Sequence, residues 1–290
     1  VMQELNGQVA VITGGASGIG LALAYRFAEA GMAVAVGDVE ELALDAAVEE
    51  LRGSGANVYG AQLDVSDVES MGRFAAGAAD ALGPPHVVCL NAGVASSRPI
   101  VDHTLDDWQW VMGVNLWGIV HGLDAFLGGL IDRDAGHVVV TASVAGHTSH
   151  PGIGPYNASK HAAVTIAETL YNELAALGSR VGVSALCPGF VNTGIFASGR
   201  NRPEHLVNRL AEPPSDEDLA RERAVQEWMA ANARDPSEVA ALVFSAVMDG
   251  TFWVFTDDDH RDAISRRHNE ILTGRNPSQY ESIGQTALES

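Results

Sequence analysis

The sequence predicts an α/β protein built on a parallel sheet with helices on both faces. Three observations lead there. Short apolar, β-branched runs alternate with helical patterns along most of the chain, the order that strands joined by crossover helices require. A glycine-rich turn follows the first of these runs directly and opens a helix. The 290 residues, 47% of them hydrophobic, supply a full core for one α/β unit.

The first strand is Gln8 to Thr13, followed at once by Gly14-Gly-Ala-Ser-Gly18-Ile-Gly20 and a helix to about Ala30. Glycines let the backbone bend sharply there and let a pyrophosphate lie against the helix N-terminus, where free amides and the helix dipole favour anions. Gly14, Ser17, Gly18, Ile19 and Gly20 are therefore candidate dinucleotide contacts. Met32 to Asp38 is the second strand, and its terminal acid lies twenty residues beyond Gly18. An acid at that spacing accepts hydrogen bonds from the adenosine ribose hydroxyls of NAD and repels the 2′-phosphate of NADP. A plain strand-end turn acid is the alternative reading of Asp38. No basic residue stands at Ser17 or Val39 to receive a phosphate.

A helix from about Glu40 to Arg52 leads to a third strand, Asn57 to Leu63, closed by Asp64. Ser66-Asp-Val-Glu69 has the form of a capping box and opens a helix to about Leu82. Pro84-Pro85 ends that region, and His86 to Leu90 is the fourth strand, running into the small-residue turn Asn91-Ala-Gly93. Thr104-Leu-Asp-Asp107 caps a long helix to roughly Leu130. Its Trp108, Trp110, Met112 and Trp117 read as packing residues or a subunit contact. Asn115, set between Val114 and Leu116, needs a hydrogen-bond partner in an apolar helix, whether a local or a functional one.

His137 to Ser143 is the fifth strand, with Ser143 at its carboxyl end, where open α/β sheets bind ligands. Thirteen residues separate Ser143 from Tyr156, and a loop of that length can fold back to bring the two hydroxyls together. A helix runs from Tyr156 through Leu177, and Val181 to Cys187 is the sixth strand, left by Pro188-Gly-Phe-Val-Asn-Thr193. The composition then shifts. Residues 194–230 mix Phe196, Leu206, Leu210, Trp228 and Met229 with many charges, which suggests a mobile, substrate-covering flap. Asp235-Pro-Ser-Glu238 caps another helix, and Thr251 to Thr256 is the last strand. The extension 257–290 is polar, with a helix around Arg261 to Leu272. No linker separates two cores, so residues 1–290 read as one domain.

Tyr156 and Lys160 lie four residues apart, on one face of a helix. A fixed positive charge beside a tyrosine hydroxyl stabilises the phenolate, and a phenol tuned this way shuttles protons near neutral pH. Lys160 is also the only lysine in the chain; the other 16 basic residues are arginines.

A formal charge of −20 argues against a nucleic-acid partner, which would require a basic face. No uninterrupted apolar run reaches the ~18 residues of a membrane span, and Val1 to Gly7 lacks the pattern of a signal peptide. Cys89 and Cys187 sit in apolar runs and read as buried free thiols of a reducing compartment. These features predict a soluble, cytoplasmic protein. No metal site is expected, and neither G-x-S-x-G nor H-E-x-x-H occurs.

Taken together, these motifs resemble the short-chain dehydrogenase/reductase family over nearly all of residues 5 to 256. They stand in the family's order: Thr13-Gly-Gly-Ala-Ser-Gly-Ile-Gly20, Asp64-Val65, Asn91-Ala-Gly93, Asn115, Ser143, Tyr156-x-x-x-Lys160 and Pro188-Gly-Phe-Val-Asn-Thr193. The resemblance implies a doubly wound Rossmann fold with seven mostly parallel strands, and a homotetramer or homodimer formed through the long central helices. It implies that Tyr156 is the general acid/base, that Lys160 lowers its pKa and holds the nicotinamide ribose, and that Ser143 orients the substrate oxygen. Asn115 would support a proton relay to Lys160. Asp64 and Val65 would contact adenine, Asn91, Ala92 and Gly93 would lie against the cofactor, and Pro188, Gly189, Val191 and Thr193 would border the carboxamide. Leu90 replaces a first asparagine found in many members, and the chain runs some thirty residues past its last strand. The run Asp107 to Gly118 is similar to a subgroup that oxidises bulky aromatic or alicyclic secondary alcohols, dehydrogenases of lignin-type aryl ethers among them. The reading is an NAD-dependent dehydrogenase interconverting a hydrophobic secondary alcohol and its ketone. An NADP-dependent carbonyl reductase and an inactive NAD-binding regulator are the alternatives. Asp38 disfavours the first, and the presence of Ser143, Tyr156 and Lys160 disfavours the second.

Overall fold

The computed structural model describes residues 4–207, 231–258 and 260–280, together with 220, 223, 224, 227 and 228. Most of the expected flap beyond residue 207, and the tail beyond 280, lie outside the described residues. Seven strands form one sheet: β1 (Val9–Thr13), β2 (Ala33–Asp38), β3 (Val58–Gln62), β4 (Val87–Leu90), β5 (His137–Thr141), β6 (Gly182–Cys187) and β7 (Trp253–Phe255). Their order is β3-β2-β1-β4-β5-β6-β7. Every neighbouring pair is parallel, so no antiparallel edge strand is present among the described residues. The strand order reverses between β1 and β4, which opens a crevice at the carboxyl ends of those strands.

Helices cover both faces because each strand presents apolar side chains both ways. On one side α1 (Gly18–Glu29), α2 (Glu41–Gly53) and α7 (Pro236–Asp249) pack Leu23, Phe27, Leu51 and Val243 against Ile12, Val34 and Val36. On the other, α3 (Val68–Leu82), α5 (Gly118–Arg133) and α6 (Gly154–Ala176) bury Met71, Phe74, Phe126 and Leu130 against Val11, Val88 and Val138. Each such side chain, fully buried, contributes roughly 1.5–3 kcal/mol. Cys89 and Cys187 are buried free thiols. A final helix, α8 (Arg261–Thr273), follows β7 in the C-terminal extension.

Local chemistry sets the boundaries. Thr104 and Asp107 form a reciprocal capping box at the start of α4 (Leu105–Met112), and Asp235 caps α7 through the Ser237 amide. The cap of α3 lies one residue later than the sequence pattern indicates. Asp67 accepts the Glu69 and Ser70 amides, while Ser66 turns its hydroxyl to Asp64. The carboxylate outcompetes the neighbouring hydroxyl for those amides. Between α4 and α5 one π-helical turn, Gly113–Trp117, joins the two into a continuous helix. That stretch, Leu105–Arg133, spans 29 residues with a mean hydropathy of 1.4, long and apolar enough by composition to cross a bilayer. It nonetheless packs on α3 and α6 and buries Asp107 and Asn115 within the protein.

Candidate active site

The crevice at the strand ends widens into a cavity of about 800 Å³. Of the expected dinucleotide contacts, Gly14, Ser17, Gly18, Ile19, Asp38, Asp64, Val65, Asn91, Ala92, Gly93, Pro188, Gly189, Val191 and Thr193 line it, together with Ser143, Tyr156 and Lys160. Two expected residues do not. Gly20 faces inward: a Cβ there would lie 1.9 Å from the Gly14 carbonyl oxygen, so this glycine allows α1 to pack against its own loop. Asn115 is fully buried behind Gly93. Its Oδ1 accepts the Val94 amide at 2.8 Å, and its Nδ2 donates to the Val94 carbonyl (2.9 Å) and to Ser159 Oγ (3.0 Å). The π-turn carries this amide to the Val94 backbone, and the side chain acts as a clamp on the Asn91–Val94 turn.

The glycine loop has the shape of an anion cradle. Gly14 and Gly18 have φ of +66° and +53°, and a Cβ would lie 2.8 Å from Ala92 at the first and 2.9 Å from Thr193 at the second. Ser17, the N-cap of α1, makes no side-chain cap, so the first amides of the helix stay available to a ligand. Asp38 ends β2 at the rim, its carboxylate accepting the Ala16 amide (3.0 Å) and the Glu40 amide (3.1 Å). Burial nevertheless pushes its pKa up, against the pull of those two bonds. These features fit a dinucleotide, with the loop for its pyrophosphate and Asp38 for a ribose.

One hydrogen-bonded lattice joins this loop to the turn that carries Lys160. The Asn91 amide donates to Thr13 Oγ1 (2.9 Å), Asn91 Nδ2 donates to the Thr13 carbonyl (3.1 Å), and Thr141 Oγ1 donates to Asn91 Oδ1 (3.2 Å). Lys160, 3% exposed, donates from Nζ to the Thr141 carbonyl at 2.8 Å. The ends of β1, β4 and β5 and the start of α6 are thereby held in register.

Strand β5 ends at Thr141, two residues before the expected Ser143, because the chain leaves the ladder once the Ala142 amide has bonded Leu186. Ser143 instead caps a short 3-10 turn, Val144–Gly146, through the Ala145 amide. The loop does fold back: Ser143 and Tyr156 line the same cavity, near enough for the serine hydroxyl to draw the tyrosine pKa down, while Ser143 Oγ donates to the Pro188 carbonyl at 3.4 Å. The pKa of Tyr156 moves opposite to expectation. The residue keeps part of its surface open to the cavity, but its phenol is packed closely enough that burial raises the pKa, and Ser143 only partly offsets this. Lys160 Nζ lies 5.6 Å from the ring centroid and is turned to Thr141, while burial lowers its own pKa to about 8.

The rest of the wall is mixed: Val94, Trp110, Ile153, Phe190, Ile195, Phe196 and Leu206 line it together with polar residues such as Gln109, His150, Ser198 and His205. Within residues 194–206 lie two 3-10 turns, Gly194–Asn201 and Glu204–Leu206. Arg202 forms an ion pair with the fully buried Asp107 and donates to the Leu206 carbonyl. Trp228 packs edge-on against Phe190 with centroids 5.1 Å apart. Several lining residues carry no local sequence signal. Arg200 and Asn201 come from the segment after β6 to meet Glu40, and His260 from the extension stands over Gly189.

The short chain dehydrogenase family profile matches residues 8–204. The C alpha-dehydrogenase of Sphingobium sp. strain NBRC 103272 / SYK-6 is 30% identical over 98% of this chain and 91% of its own length. The 1-deoxy-11-beta-hydroxypentalenate dehydrogenase of Streptomyces exfoliatus is 35% identical over 92% of this chain and 90% of its own. A short chain dehydrogenase/reductase from Burkholderia phymatum, solved in complex with NAD, superposes with a TM-score of 0.92 at 40% identity, covering 97% of this chain and 100% of that one. With that fold, that crevice and these relatives, the chain belongs to the short-chain dehydrogenase/reductase family of oxidoreductases.

Proposed function

We propose that this protein is an NAD-dependent dehydrogenase that interconverts a bulky, hydrophobic secondary alcohol and its ketone. The observation that carries the reading is that Ser143, Tyr156 and Lys160 line the same cavity as the glycine loop and Asp38. The bound dinucleotide supplies the hydride acceptor or donor. Gly14, Ser17, Gly18 and Ile19 would take its pyrophosphate, Asp38 a ribose, and Asp64 and Val65 the adenine. Asn91, Ala92 and Gly93 would flank it, with Pro188, Gly189, Val191 and Thr193 at the carboxamide. Ser143 hydrogen-bonds the substrate oxygen, and Tyr156 takes its proton in oxidation or returns it in reduction. Lys160 holds the nicotinamide ribose, and Asn115 and Gly20 keep the surrounding turns in place. Because burial raises the Tyr156 pKa, the phenol is protonated at neutral pH, the state that donates to a carbonyl; alkali favours oxidation.

The apolar side chains in the wall support a hydrophobic substrate, and the hydroxypentalenate in the name of the Streptomyces exfoliatus relative supports chemistry at a hydroxyl carbon. We place the enzyme in the cytoplasm as one Rossmann domain. It forms a homo-oligomer through α4 and α5, where Trp117 is 53% exposed. One observation favours NADP: Arg200 reaches the rim beside Asp38 and Glu40. Glu40 already neutralises it, however. Steady-state kinetics with both cofactors decides. Efficiency with NAD is expected to exceed that with NADP at least about tenfold, roughly 1.4 kcal/mol; equal efficiency, or a preference for NADP, would overturn the role of Asp38.

A further inference from the structure

The two lips of the cavity at its adenosine end are tied to one another. Glu40 belongs to the turn after β2, and Arg200 and Asn201 belong to the segment after β6, 160 and 161 residues away. Arg200 grips the Glu40 carboxylate with one edge of its guanidinium, Nη2 at 2.6 Å and Nε at 3.1 Å. Asn201 Nδ2 adds a third bond at 2.8 Å. The remaining edge of Arg200 holds its own segment, with Nη1 donating to the Gly194 (3.2 Å) and Ala197 (2.8 Å) carbonyls. Glu40, Arg200 and Asn201 all line the cavity beside Asp38 and Ser17. Arg200 draws the Glu40 pKa down, so the pair is ionised at neutral pH. The side chains remain 41% and 28% exposed, open enough to part and re-form.

We propose that Glu40 and Arg200 form a clasp across the cleft which must open for the dinucleotide to enter or leave, making both of them positioning residues for cofactor exchange. The inference rests on the dinucleotide reading above. A clasp that closes over the empty and the filled cleft alike slows entry and exit together and leaves affinity almost unchanged. A residue that simply touched the cofactor would change affinity through the exit rate. A residue that only stabilised the fold would change neither rate.

The test is stopped-flow binding of NAD, followed by protein fluorescence, for wild type, Glu40→Ala, Arg200→Met and the double variant. Each single change is expected to raise both kon and koff by about fivefold, the effect of losing one partly exposed ion pair, with Kd within about twofold. The double variant should add nothing further, because either change alone opens the clasp. In wild type 0.5 M NaCl should raise koff as well, and this salt response should vanish in Glu40→Gln, which keeps the shape but not the charge. A change in Kd carried by koff alone, additive effects in the double variant, or unchanged rates would overturn the clasp. Wild-type protein that binds no dinucleotide at all would overturn the cofactor reading with it.

Discussion

Lys160 occupies a space that only an unbranched ammonium fits. It is 3% exposed, bonded to the Thr141 carbonyl, and beside the Gly93 backbone, where a Cβ would lie 3.6 Å from its Nζ. A guanidinium is larger, planar and effectively always charged. Lys160→Arg is therefore expected to lower kcat at least about a hundredfold, roughly 2.7 kcal/mol. Overpacking should also cost about 1–3 kcal/mol of stability. Steady-state kinetics on material shown to be folded by circular dichroism checks this; an active variant would reduce Lys160 to a packing residue. The four-residue spacing and the lysine's uniqueness made the pair visible in the sequence. The direction of the tyrosine's pKa was not visible, because spacing reports proximity along a helix whereas burial depends on the loops folded over it. Asn115 was legible as a residue needing partners, but not as a clamp on Val94, since a π-turn leaves no mark in the apolar period.

At the scale of elements, the segment after β6 is joined to α4 by charge as well as by apolar contact. Asp107 is fully buried, serving both the capping box of α4 and the Arg202 guanidinium, which lies 5.3 Å from the Trp110 ring centroid. Removing one member of a buried pair leaves the other charge poorly compensated, so Asp107→Ala is expected to cost about 3 kcal/mol. Asp107→Asn combined with Arg202→Met should cost less than Asp107→Ala. Urea unfolding of the variants measures both, and a difference under about 0.5 kcal/mol between wild type and Asp107→Ala would contradict the anchoring. The sequence marked this segment by its apolar residues, and Leu206 is buried with Val94, Trp110 and Val111. It gave no sign that two nearby arginines fasten the segment, because Arg200 and Arg202 find their partners 160 and 95 residues away. Strands and caps were legible because their signals are local: β-branched runs, prolines at first turns, acids before helices. The inward face of Gly20 was not legible for the same reason, since a motif lists its glycines without saying which face each one serves.

For the whole molecule, a buried histidine contributes to the response to acid. His137 in β5 is 1% exposed and hydrogen-bonded to Ser184 Oγ at 2.8 Å, and burial depresses its pKa to about 3. The unfolded chain then binds a proton below pH ~6.5 that the native state refuses, so stability rises with pH across that window and is lost as pH falls through it. This one site should contribute up to about 1.4 kcal/mol per pH unit between pH 6 and 4. His147, depressed to about 4 in its half-buried setting, acts in the same direction. Urea unfolding at several pH values should show the decline, and His137→Asn should flatten it by about one proton; an unchanged slope would place the linkage elsewhere. The fold's alternation was plain in the sequence, whereas the burial of His137 followed only once β5 lay inside the sheet between β4 and β6. The central claim is that one cavity brings a dinucleotide to a tyrosine acid/base. Its most direct test is to supply NAD and a series of aryl and alicyclic secondary alcohols to wild type and Tyr156→Phe, recording reduced dinucleotide alongside NAD affinity. Wild type should turn over, faster as pH rises, while Tyr156→Phe should bind NAD within about threefold and lose about a thousandfold or more in turnover. A Tyr156→Phe enzyme as active as wild type, or one whose loss of turnover is matched by its loss of NAD binding, would contradict it.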